Sequence, residues 1–185
     1  MRFLLSLVLA TFLTLPAFAQ SAPRGPQGPS IQRTTLIVTD IDKSIDFYQR
    51  IGLVKASDTR GTDADVYGVN TFPLTADSKT SRLVILHGAD ERAGTIALLW
   101  YDRPQLPSAR GNLAGVGTGD VIVVIEVADA AGASSRLNQI GTRFHVPLGR
   151  YTATGNDGSP QSGQHMVAYD PDGHVVEVVQ LDTKR

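Results

Sequence analysis

Short apolar runs separated by polar or glycine-containing turns make up most of this chain, and one amphipathic stretch interrupts the first group of runs. The β-branched run 33–39 predicts a buried strand. Asp40, an apolar stripe with helical spacing and Gly52 together predict a capped helix over residues 43–51. Further apolar runs predict three more strands, at 53–56, 82–87 and 95–101. The predicted order in this half is therefore βαβββ.

The same order of elements repeats in the second half. Strands are predicted at 121–128, 142–146, 164–169 and 174–181, a helix at 130–140, and a Gly/Ser-rich loop at 149–163. Asp129 and Gly141 bound the second helix with the same spacing of twelve residues that separates Asp40 from Gly52. Both pairs begin with Val-x-Asp and end with Ile-Gly. This repetition indicates an internal duplication of one unit, whose two copies pack together to bury their sheet faces.

The last two predicted strands flank the sequence Asp170-Pro171-Asp172-Gly173. Proline presets the second position of a turn, aspartate bonds to the following backbone, and glycine accepts a positive φ, so this sequence predicts a β-hairpin. Glu177 lies in the final strand among four valines. Periodicity alone leaves open whether this carboxylate faces solvent or a site.

The N-terminal sequence predicts export. Arg2 precedes an apolar run that continues to Leu15, and Ala17-Phe18-Ala19 is typical of a signal-peptide cleavage site, here between Ala19 and Gln20. We therefore expect a periplasmic or secreted protein. No later segment has the roughly 20 apolar residues of a membrane span. The absence of cysteine excludes disulfides and thiolate chemistry.

Charge and composition restrict the partners and the domain organisation. The formal net charge is −1 and no basic run is present, so nucleic acid is not an expected partner. The predicted organisation is a signal peptide at 1–19, a flexible leader at 20–31, a first module at 32–102, a Pro/Gly-rich linker at 103–119 and a second module at 120–182.

The two modules, the strand ending Val-Thr-Asp with Ser44-Ile45-Asp46-Phe47-Tyr48 on its helix, and the closing Asp-Pro-Asp-Gly-x-x-x-Glu hairpin resemble the vicinal oxygen chelate (VOC) superfamily. This superfamily includes glyoxalase I, bleomycin- and fosfomycin-resistance proteins and extradiol dioxygenases. The resemblance implies an α+β fold in which two tandem βαβββ modules form a curved mixed-sheet cup. It also implies a small-molecule ligand on the concave face.

In metal-using relatives the cup holds a divalent ion on four side chains. The resemblance places these positions at Arg33, Leu98, Ile122 and Glu177. Only Glu177 can coordinate a cation, because Arg33 is positively charged and the other two have no lone pair. We therefore expect no family-type metal and no cofactor. A relocated divalent-metal site built from Glu177 with His87, His165 or His174 is the alternative.

Strand alternation assigns further residues to the cup face. The predicted binding residues are Arg33, Thr35, Leu98, Trp100, Ile122, Glu126 and His165, and the predicted catalytic residue is Glu177. The cup would be apolar, with Trp100 as an aromatic wall and a few charged groups that orient a ligand. Arg33 could instead pair with Glu177 or Glu126 and close the site.

Three functions are consistent with this sequence. The first is metal-free binding or sequestration of a small molecule, with Arg33 contacting an anionic group. The second is a glyoxalase-like lyase or isomerase that uses Glu177 as general base. The third is a non-catalytic interaction domain of the cell envelope. The sequence is consistent with either a monomer or a homodimer.

Overall fold

The computed structural model describes residues 31–62, 72–89, 94–107, 115–155 and 158–182. The predicted signal peptide and nearly all of the predicted leader lie outside these residues. The elements in chain order are β1 Arg33–Ile37, α1 Ile41–Ile51, β2 Val54–Thr62, β3 Thr80–His87, β4 Thr95–Tyr101, β5 Ile122–Glu126, α2 Ala130–Asn138, β6 Phe144–Thr154, β7 Pro160–Tyr169 and β8 Val175–Leu181. In the described residues no helix is long and apolar enough to cross a membrane.

Each half of the chain forms a four-stranded mixed sheet. The strand order is β1-β4-β3-β2 in the first sheet and β5-β8-β7-β6 in the second. In each sheet the opening strand is parallel to the last strand, and the remaining pairs are antiparallel. The predicted α+β fold with two tandem βαβββ modules is confirmed.

The helices begin at the predicted aspartates. The Asp40 side chain accepts a hydrogen bond from the backbone N–H of Lys43 at 3.1 Å, and Asp129 accepts one from Gly132 at 2.8 Å. These carboxylates satisfy N–H groups that the first helical turn leaves unpaired. Helix α1 ends at Gly52, whose φ of 127° is accessible to glycine but costly for other residues.

One hydrophobic core joins the two modules. Helices α1 and α2 contact each other and cover one side of each sheet. The side chains of Tyr48, Leu98, Leu137, Met166 and Val178 are fully buried in this core. The residues predicted to face the helices are all part of it or packed against it, namely Leu36, Val38, Val123, Ile125, Val176 and Val178.

The predicted loop at 149–163 is wrong. Strand β6 continues to Thr154, β7 begins at Pro160, and the two strands pair from Phe144–Ala168 to Thr154–Pro160. Glycine and serine are weak strand formers, which explains why composition indicated a loop. The backbone ladder with β7 overrides that preference, and Tyr151 consequently lies on a strand.

The closing hairpin turn is bonded to the first module. Asp172 accepts hydrogen bonds from the backbone N–H of Thr39 at 2.9 Å and from the Thr39 hydroxyl. The Tyr48 hydroxyl donates to Asp170 at 3.1 Å. We call these contacts of Thr39 and Tyr48 with Asp170 and Asp172 the turn–helix contact, because they hold the β7–β8 turn against α1 and its N-terminal cap.

The Asp170 carboxylate is the central acceptor of this contact. It is buried, and besides Tyr48 it accepts from the backbone N–H groups of Asp172 and His174 and contacts His174 Nδ1 at 2.9 Å. Burial, followed by the nearby Asp170 carboxylate, raises the pKa of Tyr48 far above its usual value. The phenol therefore remains protonated and donates to Asp170.

Removal of the Asp170 carboxylate should destabilise the protein more than removal of an exposed, equally paired one. Asp170→Ala leaves one hydroxyl and two backbone N–H groups without their acceptor, so we expect the free energy of unfolding to fall by about 3 kcal/mol. Asp182→Ala is the matched control, since Asp182 is exposed and binds Arg150 and Ser162. Urea denaturation measures both, and equal losses would contradict the role given to the turn–helix contact.

Candidate functional site

The side of each sheet that faces away from the helices is called here the open face. On the second sheet, strand register sets its side chains in cross-strand rows. Glu177 pairs with Val124 on β5 and with Val167 on β7, while Val179 pairs with Glu126 and His165. Glu177, Glu126 and His165 therefore lie on one face, among valines.

Glu177 has a neighbouring imidazole. His165 Nδ1 lies 3.2 Å from Glu177 Oε1, and the two side chains are 25% and 31% exposed. The Tyr151 ring stacks on the imidazole, with ring centroids 4.9 Å apart and planes at 27°. Sequence reasoning missed Tyr151, because composition assigned that segment to a loop; the β-propensity of tyrosine followed by threonine could have indicated a strand.

Strand β5, at the edge of the second sheet, carries exposed apolar side chains on the open face. Ile122 and Val124 on β5 are 51% and 59% exposed in the described structure. A cavity of about 360 Å³ runs along β5, and its lining includes Arg33, Ile122, Val124 and Glu126. The structure thus brings predicted residues from both modules to one cavity, next to the row that contains Glu177.

Arg33 is exposed and makes no ion pair within the described part of the chain. The pairing of Arg33 with Glu177 or Glu126, considered from the sequence, is not present among the described residues. Glu177 contacts His165 instead. The guanidinium therefore keeps its hydrogen-bond donors available at the cavity.

The predicted placement of Leu98 and Trp100 beside Arg33 is wrong. Leu98 pairs with Leu36, so it faces the helices, where it is fully buried. Trp100 also lies on the helix side and lines a separate cavity near the start of α1. Alternation defines the two faces of one strand but not its register with the next, and a shift of one residue exchanges the faces.

The register brings different residues of β4 to the open face. Thr35 pairs with Ala97, as Ile37 pairs with Leu99. Thr35 is half-buried on this face as predicted. Leu99 and Tyr101 form a second small buried cluster with the partly buried Leu74, Leu83 and Leu106. The open face of the first sheet is thus partly covered, whereas β5 of the second sheet is exposed.

The residues present do not fit a family-type metal. Of the four positions that the resemblance implies, Arg33 is a cation and Ile122 cannot coordinate. At the position on β4, neither Leu98 nor its neighbour Ala97 has a side-chain lone pair. For a relocated site, His165 is the histidine beside Glu177. His87 contacts the carbonyl of Gly88, and His174 contacts Asp170 in the turn. Within the described ranges, no three His, Cys, Asp or Glu side chains are grouped to hold an ion.

The fold and the site define a protein with two βαβββ modules and an open, largely apolar sheet face. The family model described as the Glyoxalase/Bleomycin resistance protein/Dioxygenase superfamily matches residues 30–178. The chain belongs to this superfamily.

Solved structures share the fold at low sequence identity. The chain is similar to a glyoxalase family protein from Bacillus cereus, with a TM-score of 0.63 and 15% identity, over 88% of this chain and 100% of that one. It is also similar to a glyoxylase/bleomycin resistance protein/dioxygenase domain from Frankia sp. EAN1pec, with a TM-score of 0.50 and 18% identity, over 85% and 95%. No curated protein matches the chain.

Metal analysis of the purified protein tests the prediction that no divalent ion binds at the family metal positions. We expect no divalent ion at stoichiometric amount after gel filtration, because one carboxylate and one imidazole provide too few ligands. Inductively coupled plasma mass spectrometry on wild type and Glu177→Gln measures this. Near-unit Zn²⁺ or Ni²⁺ in wild type, absent from the variant, would show that Glu177 is a metal ligand after all.

Proposed function

We propose that this protein binds a small organic molecule on the open face beside β5 without using a metal. The observation that carries the proposal is the exposure of Ile122 and Val124 directly beside the partly buried Glu177–His165 pair. Exposed, contiguous apolar side chains next to a few fixed polar groups are typical of ligand sites. Burial of about 100 Å² of this surface would contribute roughly 2.5 kcal/mol to binding.

Arg33 gives the proposed site a preference for anionic ligands. Its guanidinium is charged at all ordinary pH values and lines the same cavity as Ile122. A carboxylate, sulfonate or phosphate could accept two parallel hydrogen bonds from it. Glu126 lines the same cavity and would disfavour ligands with negative charge distributed over the whole molecule. The proposed ligand is therefore an apolar molecule with one anionic group.

The proposal includes export of the mature protein. The apolar run before Pro16 and the Ala-Phe-Ala sequence support a cleaved signal peptide. Outside the cytoplasm glutathione hemithioacetals are scarce, so a glutathione-linked substrate is disfavoured. Ligand capture in the envelope or the medium agrees better with this location.

A second candidate function is a lyase or isomerase of the glyoxalase type, favoured by one specific observation. The Glu177 carboxylate and the His165 imidazole lie 3.2 Å apart on the open face. Together they could take a proton from an acidic C–H group next to a carbonyl, while Arg33 stabilises the developing enolate. This candidate uses the same site, so the two proposals differ in whether bound ligand is converted.

Binding of 8-anilinonaphthalene-1-sulfonate, an apolar aromatic anion, tests the proposed site. We expect Arg33→Gln and Ile122→Ser each to weaken binding about fivefold, because each removes roughly 1 kcal/mol of charge-assisted or apolar contact. Fluorescence titration measures the dissociation constants, and urea denaturation verifies that the variants are folded. Arg103→Gln is the matched control, since it makes the same charge change at an exposed position that does not line the cavity. Equal dissociation constants for Arg103→Gln and Arg33→Gln would contradict the proposal.

Replacement of Glu177 distinguishes binding from catalysis. With 2-oxoaldehyde and thiol mixtures as substrates, we expect Glu177→Gln to abolish any turnover, because an amide cannot act as the base. Under the binding proposal the same variant retains affinity for the sulfonate probe within about twofold, since the amide preserves size and polarity. Turnover by wild type that survives in Glu177→Gln would exclude Glu177 as the base.

A further inference from the structure

Tyr151, His165 and Glu177 form a cluster in which the contact between His165 and Glu177 restricts where a proton can lie. A carboxylate oxygen and a ring nitrogen 3.2 Å apart can form a hydrogen bond only if one of them carries a proton. An ionised glutamate is an acceptor only. With an ionised glutamate, the contact is a hydrogen bond only when Nδ1 of His165 carries the proton, and Nε2 then keeps its lone pair in the neutral imidazole.

The surrounding strands hold the imidazole in this orientation. His165 and Glu177 are diagonal neighbours on adjacent strands, since Glu177 pairs with Val167 and His165 with Val179. The Tyr151 ring covers one face of the imidazole. Glycine stands at the β6 and β7 positions beside these rings, because Gly149 pairs with His165 and Gly163 with Tyr151. No side chain from these positions separates the two rings.

We infer that Nε2 of His165 is the atom that accepts a hydrogen bond from a ligand on the open face, and that Glu177 is a positioning residue acting through the imidazole. This inference rests on the proposed function, in which the open face binds a small molecule. It adds one feature to the proposed ligand: besides its apolar body, the ligand carries a hydroxyl or N–H group that donates a hydrogen bond to Nε2.

Nitrogen NMR of the histidine side chains tests the arrangement without any ligand. At about pH 8, where an ordinary histidine is neutral, we expect His165 in the Nδ1–H form, which is the minor form of free histidine. Glu177→Gln should preserve this form, because the amide oxygen still accepts from Nδ1–H. Glu177→Leu should convert His165 to mainly the Nε2–H form. The other histidines, at 87, 145 and 174, are internal references, and His165→Gln assigns the signal.

Phenol and anisole test the ligand part, since they differ mainly by the hydroxyl donor. We expect phenol to shift the backbone signals of Val124 and Val167 and to bind about fivefold more tightly than anisole. This preference should disappear in His165→Leu. Equal binding of both probes to wild type would overturn the role of Nε2.

The failure of this inference is distinguishable from failure of the proposed function. Wild-type His165 in the Nε2–H form, or no change in Glu177→Leu, overturns the inference whatever the protein binds. The Nδ1–H form in wild type together with no binding of phenol, anisole or the sulfonate probe supports the proton arrangement and counts against the open face as a ligand site.

Discussion

The bonds between the β7–β8 turn and helix α1 determine how the rest of this structure is arranged. Asp172 accepts from Thr39 and Asp170 from Tyr48, so two carboxylates of the second module bind the first module where its helix begins. The opposite ends of the helices are also joined, since the Arg50 and Arg136 side chains each donate to the other's backbone carbonyl. Helix α1 is therefore bonded to the second module near both of its ends. Strand β8, which follows the turn directly, carries Glu177 at a set position relative to the first module.

Sequence reasoning identified the fold through local features that repeat. The aspartate caps, the terminal Gly52 and the apolar stripe of α1 depend on residues close in sequence and occur in the structure, whereas α2 ends at Asn138, before the predicted Gly141. The turn residues Asp170 and Asp172 were correctly placed in a turn, but their bonds to Thr39 and Tyr48 connect positions more than 120 apart. Such distant partners leave no local pattern. For the same reason the register of β1 with β4 was not predictable, and Leu98 and Trp100 were assigned to the wrong face.

At the candidate site, sequence reasoning identified individual residues but not the contacts between them. Glu177 and His165 were both identified, and their neighbouring strands were predicted, but their contact depends on a diagonal register between β7 and β8. Tyr151 was hidden by the Gly/Ser-rich composition of its segment. The superfamily fold is retained in a chain whose cavity beside β5 is lined by Arg33 and Ile122, neither of which can coordinate a cation.

The placement of the core has a consequence for how such proteins diverge. Buried packing is concentrated on the helix side of both sheets, where Tyr48, Leu137 and Met166 are inaccessible to solvent. The exposed strand β5 contributes few of these contacts, so substitutions at Ile122 or Val124 cost little folding free energy. Selection can therefore change the exposed surface of β5 almost independently of stability. A scaffold organised in this way can exchange a side chain on its exposed strand in a single mutation, remain folded, and present a different chemistry at the same position.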